Sequence, residues 1–316
     1  MSPLAATVAF VFGLVALGYF SGWSGLLKQE TDTALTEFAV SVAVPLLLFR
    51  TMSQADFAGS LPLGLWAVYF SAIVVTWGLS QLITVRVFGR DSRAGVVGGL
   101  AAGFSNLVLI GIPFMLGVYG QEGFEILSLL VSVHLPVMTA ASILLFALLG
   151  SKAGERPGWL DMTRDFARTL LSNPLVIGIL AGLLWRVTGL SMPALLERLI
   201  DALADVAGPV ALFAMGLSLR RYGISGNVRP ALVVAALKLF LMPAAALVFA
   251  KLFGLPPLTA KVAVAAAALP SGVNPYLIAS QFRTGQALAS NAMTIATASA
   301  VVTTSFWLVV AQWAFG

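Results

Sequence analysis

Two short stretches of this 316-residue chain place polar side chains where apolar ones would be expected. Gly103-Phe-Ser105-Asn106-Leu-Val-Leu-Ile-Gly111-Ile-Pro113 lies inside an apolar run from about residue 94 to 119, and Leu269-Pro270-Ser271-Gly272-Val-Asn274-Pro275 lies inside another. Proline in a helix interior removes a backbone hydrogen bond and clashes with the preceding turn, at a cost of about 3 kcal/mol or more. In hydrocarbon the freed groups have no water to turn to, so such a break survives only where it faces protein or a watery cavity. A half-helix starting there would expose backbone N–H groups and a partial charge of roughly +0.5, which suits an anion. Asn106 and Asn274 would add amide donors, and Ser105 and Ser271 hydroxyls. The plainer alternative is that proline kinks many membrane helices and polar side chains bridge the freed carbonyls. Two interruptions in corresponding halves of a chain favour a binding site.

Ionisable residues within apolar segments are the other candidates, since a charge near the bilayer centre costs roughly 2.5–3.5 kcal/mol on insertion scales. Lys238 stands about nine residues into its segment and is open to three readings: a partner for Asp205, an attractor for an anion, or a side chain snorkelling to the interface. Glu37, Asp201 and Asp205 either bind a coupling ion or proton, or lie near the headgroups. His134 precedes Leu135-Pro136, where an imidazole N–H can satisfy a freed carbonyl; a proton relay is the alternative. Arg50 and Arg220 close apolar segments and are expected as interfacial anchors.

The elements that must position these residues follow from composition. The chain is 59% hydrophobic and 10% charged, with a mean hydropathy of +0.97. Soluble domains average about 25% charged residues, so the pattern is that of an all-α polytopic membrane protein. Ten spans of near the roughly 20 residues that cross a bilayer are expected, at about 4–20, 34–53, 62–84, 93–119, 124–149, 170–188, 197–219, 230–252, 258–281 and 287–313. Val42-Ala-Val-Pro45-Leu-Leu-Leu-Phe49 is echoed 164 residues later by Val206-Ala-Gly-Pro209-Val-Ala-Leu-Phe213, and Ile112-Pro113-Phe114 falls on Asn274-Pro275-Tyr276 at an offset of 162. Five spans per half is an odd number, so the reading is two inverted repeats, 1–150 and 169–316, joined by a polar linker at 151–168. Gly95, Gly99 and Gly103, like Ala263 and Ala267, fall at a spacing of four that lets backbones approach closely.

With the N-terminus outside, most of the 18 Lys and Arg residues fall in inside loops, among them Arg86, Arg90, Arg93, Lys152, Arg156, Arg164 and Arg168. Both termini are therefore expected outside. The net charge of +5 reports this topology and needs no nucleic acid. There is no Cys and one His, which removes disulfides and thiolate chemistry and leaves no structural zinc site. No P-loop, dinucleotide glycine fingerprint, His-Glu-x-x-His or Gly-x-Ser-x-Gly occurs, so no enzyme and no cofactor is expected.

These motifs resemble the auxin efflux carrier family of plants and bacteria, which includes PIN-type and bacterial malonate or malate carriers. Asn106-Leu-Val-Leu-Ile-Gly111-Ile-Pro113 looks like its fourth-helix motif, Leu269 to Tyr276 like its ninth, and Pro45 and Pro209 to Gly216 also fit. The resemblance spans essentially the whole chain, without the long central loop of the plant carriers. It implies the fold of the bile-acid symporter and sodium/proton antiporter class. A scaffold would come from helices 1, 2, 6 and 7, and a moving domain from helices 3–5 and 8–10. Helices 4 and 9 would cross at their breaks. A small carboxylate would bind beside the crossing, at Asn106 with Ser105, Pro113, Ser271, Gly272, Asn274 and Pro275, and Pro45 on helix 2 would line the site. The resemblance further implies secondary transport by an elevator movement, a homodimer and a bacterial inner membrane. A sodium/proton exchanger of the same fold and a non-transporting receptor are the alternatives. The exchanger needs an ionised carboxylate at a crossing that carries amides here.

Overall fold

The computed structural model describes residues 3–54, 62–150, 164, 168, 171–222, 224–226 and 228–316. The expected linker at 151–168 lies outside them apart from 164 and 168. Every regular element among the described residues is helical. In chain order they are α1 (Pro3–Trp23), α2 (Gln29–Phe38), α3 (Val44–Gln54), α4 (Leu63–Arg86), α5 (Ser92–Gly103), α6 (Ile112–Gly150), α7 (Pro174–Thr188), α8 (Ala194–Asp205), α9 (Ala207–Tyr222), α10 (Arg229–Ala236), α11 (Met242–Leu252), α12 (Pro257–Ala268), α13 (Asn274–Gln281) and α14 (Gln286–Phe315). Among the described residues seven helical stretches are long and apolar enough to cross a membrane, the longest being the 58 residues Ser92–Leu149; α7 and α12 are shorter apolar helices. The chain is a multi-pass membrane protein.

Caps and prolines set the boundaries. Asp91 accepts from the Ala94 N–H at the start of α5, and Asn173 does the same for Leu175 ahead of Pro174, each satisfying a donor the helix leaves unpaired. Gly120, at φ 65° and ψ −157°, divides α6 with a conformation that side-chain-bearing residues avoid.

Among the described residues three π-helical turns interrupt the helices: Ala39–Ala43, Leu107–Gly111 and Leu237–Leu241. Each ends two residues before a proline, at Pro45, Pro113 and Pro243 respectively. Proline offers no N–H and its ring presses on the carbonyl four residues back; widening the preceding turn makes room for it. The carbonyl four residues before Pro243 belongs to Leu239, and Trp307 Nε1 donates to it at 2.8 Å. The tryptophan thereby replaces a bond that the proline removes.

The chain divides into two units, one of Met1–Leu61, Val108–Pro136 and Trp159–Arg221, and a second of Pro62–Leu107, Val137–Gly158 and Tyr222–Gly316. In the first unit α3 packs along α7, where Gly178 lies on the backbone of Pro45. Helices α1 and α9 meet at Gly18, which faces the Phe213 backbone, and at Gly216, which faces Val15 and Tyr19. Arg220 donates to the Gly22 carbonyl and Ser218 to Asp32. Arg50 Nη1 pairs with Asp205 at 2.8 Å and Asp201 at 3.0 Å.

In the second unit α4 packs along α5 and α11, and α14 along α10 and α12. Every residue of Ala94–Gly103 and of Val262–Ala268 is buried, as befits helices apolar all round. The expectation that the glycine stripe serves close packing holds, with α4 as the neighbour: Gly95 faces Val85, Gly98 faces Thr84 and Gly99 faces the Trp77 indole. The Asn291 amide accepts from Ser225 N–H at 2.9 Å and donates to its carbonyl at 2.7 Å, pinning the chain before α10. Phe146 stacks on Phe282 at 4.0 Å between ring centroids.

A Cβ added at Gly99 would fall inside Trp77, whereas one added at Gly78 on α4 meets nothing within 4 Å. Gly99→Ala is therefore expected to cost about 1–3 kcal/mol by overpacking, and Gly78→Ala to leave stability unchanged or slightly raised. Thermal unfolding of the two variants in detergent checks the difference.

Candidate functional site

Both interrupted segments end a buried helix inside the second unit. Beyond α5 the chain turns extended at Phe104 (φ −84°, ψ 124°), and beyond α12 at Leu269 (φ −61°, ψ 146°). There the two breaks meet. The Asn106 N–H donates to the Pro270 carbonyl at 2.9 Å. Gly272 lies against Asn106, a Cβ on it falling 3.5 Å from the Asn106 Cβ. Ser105, Asn106 and Ser271 are all buried. Asn274 begins α13 with Pro275 behind it, and Leu107 begins the π turn that leads to Pro113.

A helix that stops inside a protein leaves its last carbonyls without partners. At the end of α12 they are taken up by side chains: Lys238 Nζ donates to the Ala267 carbonyl at 2.8 Å, and Thr304 Oγ1 to that of Ala268 at 3.3 Å. Lys238 is fully buried. Its Nζ also donates to Ser105 Oγ at 2.7 Å and to the Met242 sulfur, so the side chain joins the end of α12 to the break after α5. Tyr69, wholly buried on α4, interacts with the same serine. Ser271 Oγ is buried and has no hydrogen-bond partner among the described residues.

The charge balance of this unit is one-sided. Among its described residues Asp91 is the one acidic side chain, and it caps α5; Arg86, Arg90, Arg93, Arg229, Lys238, Lys251, Lys261 and Arg283 are basic. The half-helix starts after each break add positive partial charge.

Of the sequence candidates, Ser105, Asn106, Ser271, Gly272, Asn274, Pro275 and Lys238 belong to this unit, and Pro45, Pro113, His134 and Asp205 to the other. In that other unit Pro113 lies on Gly208 and lines a cavity of about 510 Å³ with Thr7, Arg50, Asp205 and Pro209. His134 is buried on α6. Two sequence readings are corrected. Arg50 is no mere interfacial anchor, because it holds Asp201 and Asp205, and Asp205 is thereby engaged by Arg50. Lys238 does not snorkel; it is buried on hydroxyl, carbonyl and thioether acceptors. The sequence reading missed Tyr69, Met242, Thr304 and Trp307. Met242 was open to inference, as it stands one helical turn after Lys238.

Residues 3–308 match the family described as "Membrane transport protein". The chain is 26% identical over 309 residues to an "Uncharacterized transporter" of Methanothermobacter thermautotrophicus, covering 96% of this chain and 97% of that protein. It is 26% identical over 305 residues to a "Putative malonate transporter" of Rhizobium meliloti, covering 96% and 94%. It is 23% identical over 327 residues to "Auxin efflux carrier component 8" of Arabidopsis thaliana, covering 88% and 89%.

An unpartnered buried hydroxyl costs roughly 1–3 kcal/mol of desolvation. Ser271→Ala is therefore expected to leave thermal stability unchanged or higher, while weakening any ligand that the hydroxyl serves. A fall in stability of the unliganded variant would mean that Ser271 already has a partner.

Proposed function

The chain belongs to the auxin efflux carrier family of membrane transport proteins, and from that premise we propose that it is a secondary carrier of small organic anions, carboxylates of the malonate, malate or auxin-like kind. The observation that carries the reading is the meeting of two helix breaks at Asn106 and Pro270 in a unit whose one described acidic side chain caps a helix elsewhere. Asn106 and Ser271 offer polar donors there, and the half-helices running on from Leu107 and Asn274 turn their N-terminal ends to the breaks. A carboxylate needs such donors and no competing carboxylate. The names of the relatives from Rhizobium meliloti and Arabidopsis thaliana fit an organic acid as cargo. A sodium/proton exchanger would need an ionised acid at the breaks, so the charge pattern favours the anion.

In this reading the ten crossings count Ser92–Leu149 as two, parted at Gly120, and add α7 and α12 to the remaining long stretches. The two halves, 1–150 and 169–316, form inverted repeats. Helices 3–5 and 8–10 move as an elevator against a scaffold of helices 1, 2, 6 and 7, and Pro113 shapes the second half of helix 4. Both termini lie outside a bacterial inner membrane.

Uptake of radiolabelled malonate, malate and indole acetate into proteoliposomes tests the proposal. Saturable uptake of at least one of them is expected, and Asn106→Ala is expected to lower it about tenfold or more, the effect of losing a bond to a charged group worth about 1.5–3 kcal/mol, with little change in thermal stability. Transport of a cation with no carboxylate uptake would overturn it.

A further inference from the structure

Lys238 is unusual because its Nζ meets three acceptors inside the protein, as many as an ammonium has N–H donors. Ser105 Oγ lies at 2.7 Å, the Ala267 carbonyl at 2.8 Å and the Met242 sulfur at 2.8 Å. An ammonium has three donors and no acceptor, so none remains for a transported anion. Among the described residues no carboxylate pairs with it. The elements packed on its π turn are α4, α5, α10, α11, α12 and α14. Of the titratable side chains they carry, Tyr69 is the one that reaches the cluster, through Ser105. Arg86, Asp91, Arg93, Arg229, Lys251 and Lys261 stand near helix ends. The acceptors are a hydroxyl, a carbonyl at the negative end of a helix and a thioether, all neutral.

That environment offers a cation two neutral oxygens, one of them at the negative end of a helix dipole, and one thioether sulfur. We propose that the Lys238 ammonium is a tethered cation filling a monovalent-cation site at the helix breaks, and that removing it opens this site to a soluble cation. Lys238 is thus a positioning residue. It fixes the end of α12 against Ser105, and so sets where Asn106 stands, without touching the cargo. The effect on uptake rests on the anion-carrier reading; the cation site does not.

Two measurements at constant ionic strength test this. The first is the thermal stability of the wild type and of Lys238→Ala in choline, sodium and methylammonium chloride. Sodium or methylammonium is expected to stabilise Lys238→Ala saturably, by at least about 3 °C, and to leave the wild type unmoved. A variant indifferent to both cations, or a wild type stabilised as strongly, would overturn the proposal. The second is uptake by the wild type and by Lys238→Met, which keeps the bulk without the charge or the vacancy and serves should the alanine variant not fold. Wild-type uptake is expected to match within about twofold in choline and sodium. Uptake by Lys238→Met is expected to fall at least about tenfold and not to recover in either cation. A sodium requirement in the wild type, or full uptake by Lys238→Met, would overturn it. If the wild type moves no carboxylate, the carrier reading fails, and the stability measurement still decides the cation site.

Discussion

The second unit of this protein depends on backbone groups that leave their helices far from water. A carbonyl or N–H stranded in an apolar interior costs several kcal/mol unless it finds a partner, and two helix breaks strand many at once. They are satisfied from both directions. Asn106 and Pro270 pair backbone to backbone, while Lys238 and Thr304 take up the last carbonyls of α12. Once these bonds exist, the breaks become a fixed feature that polar side chains can be built around.

Proline acts here as a tool for placing such groups. Each of the three π turns precedes a proline by two residues, and a widened turn shifts the side chains within it relative to an ordinary helix. Lys238 stands inside one of these turns. Its burial therefore follows from a chain of causes: Pro243 removes a bond, the turn opens, Trp307 takes the Leu239 carbonyl, and the lysine reaches Ser105. A side chain that would be costly to bury in hydrocarbon is thereby held by a hydroxyl, a thioether and one helix end carrying negative partial charge.

Much of this was legible in the sequence, and the limits have physical reasons. The breaks at Ser105-Asn106 and Pro270-Ser271 stand out because proline and polar residues violate an apolar run, and the packing role of Gly95, Gly99 and Gly103 follows from their spacing. What lies opposite them was not legible, since spacing does not say which helix arrives; it is Trp77, Thr84 and Val85 on α4. The partners of Arg50 and Lys238 were hidden for the same reason. Arg50 reaches Asp201 and Asp205 across some 150 residues, and Lys238 finds neutral acceptors where a charge count directs attention to carboxylates.

The most direct measurement of whether the breaks form the anion site is a structure with a bromine-labelled dicarboxylate bound, located by its anomalous signal. The prediction is a single carboxylate within hydrogen-bonding distance, roughly 3 Å, of Asn106, beside Ser271. A carboxylate found in the cavity lined by Arg50 and Pro113, with the breaks left empty, would contradict it.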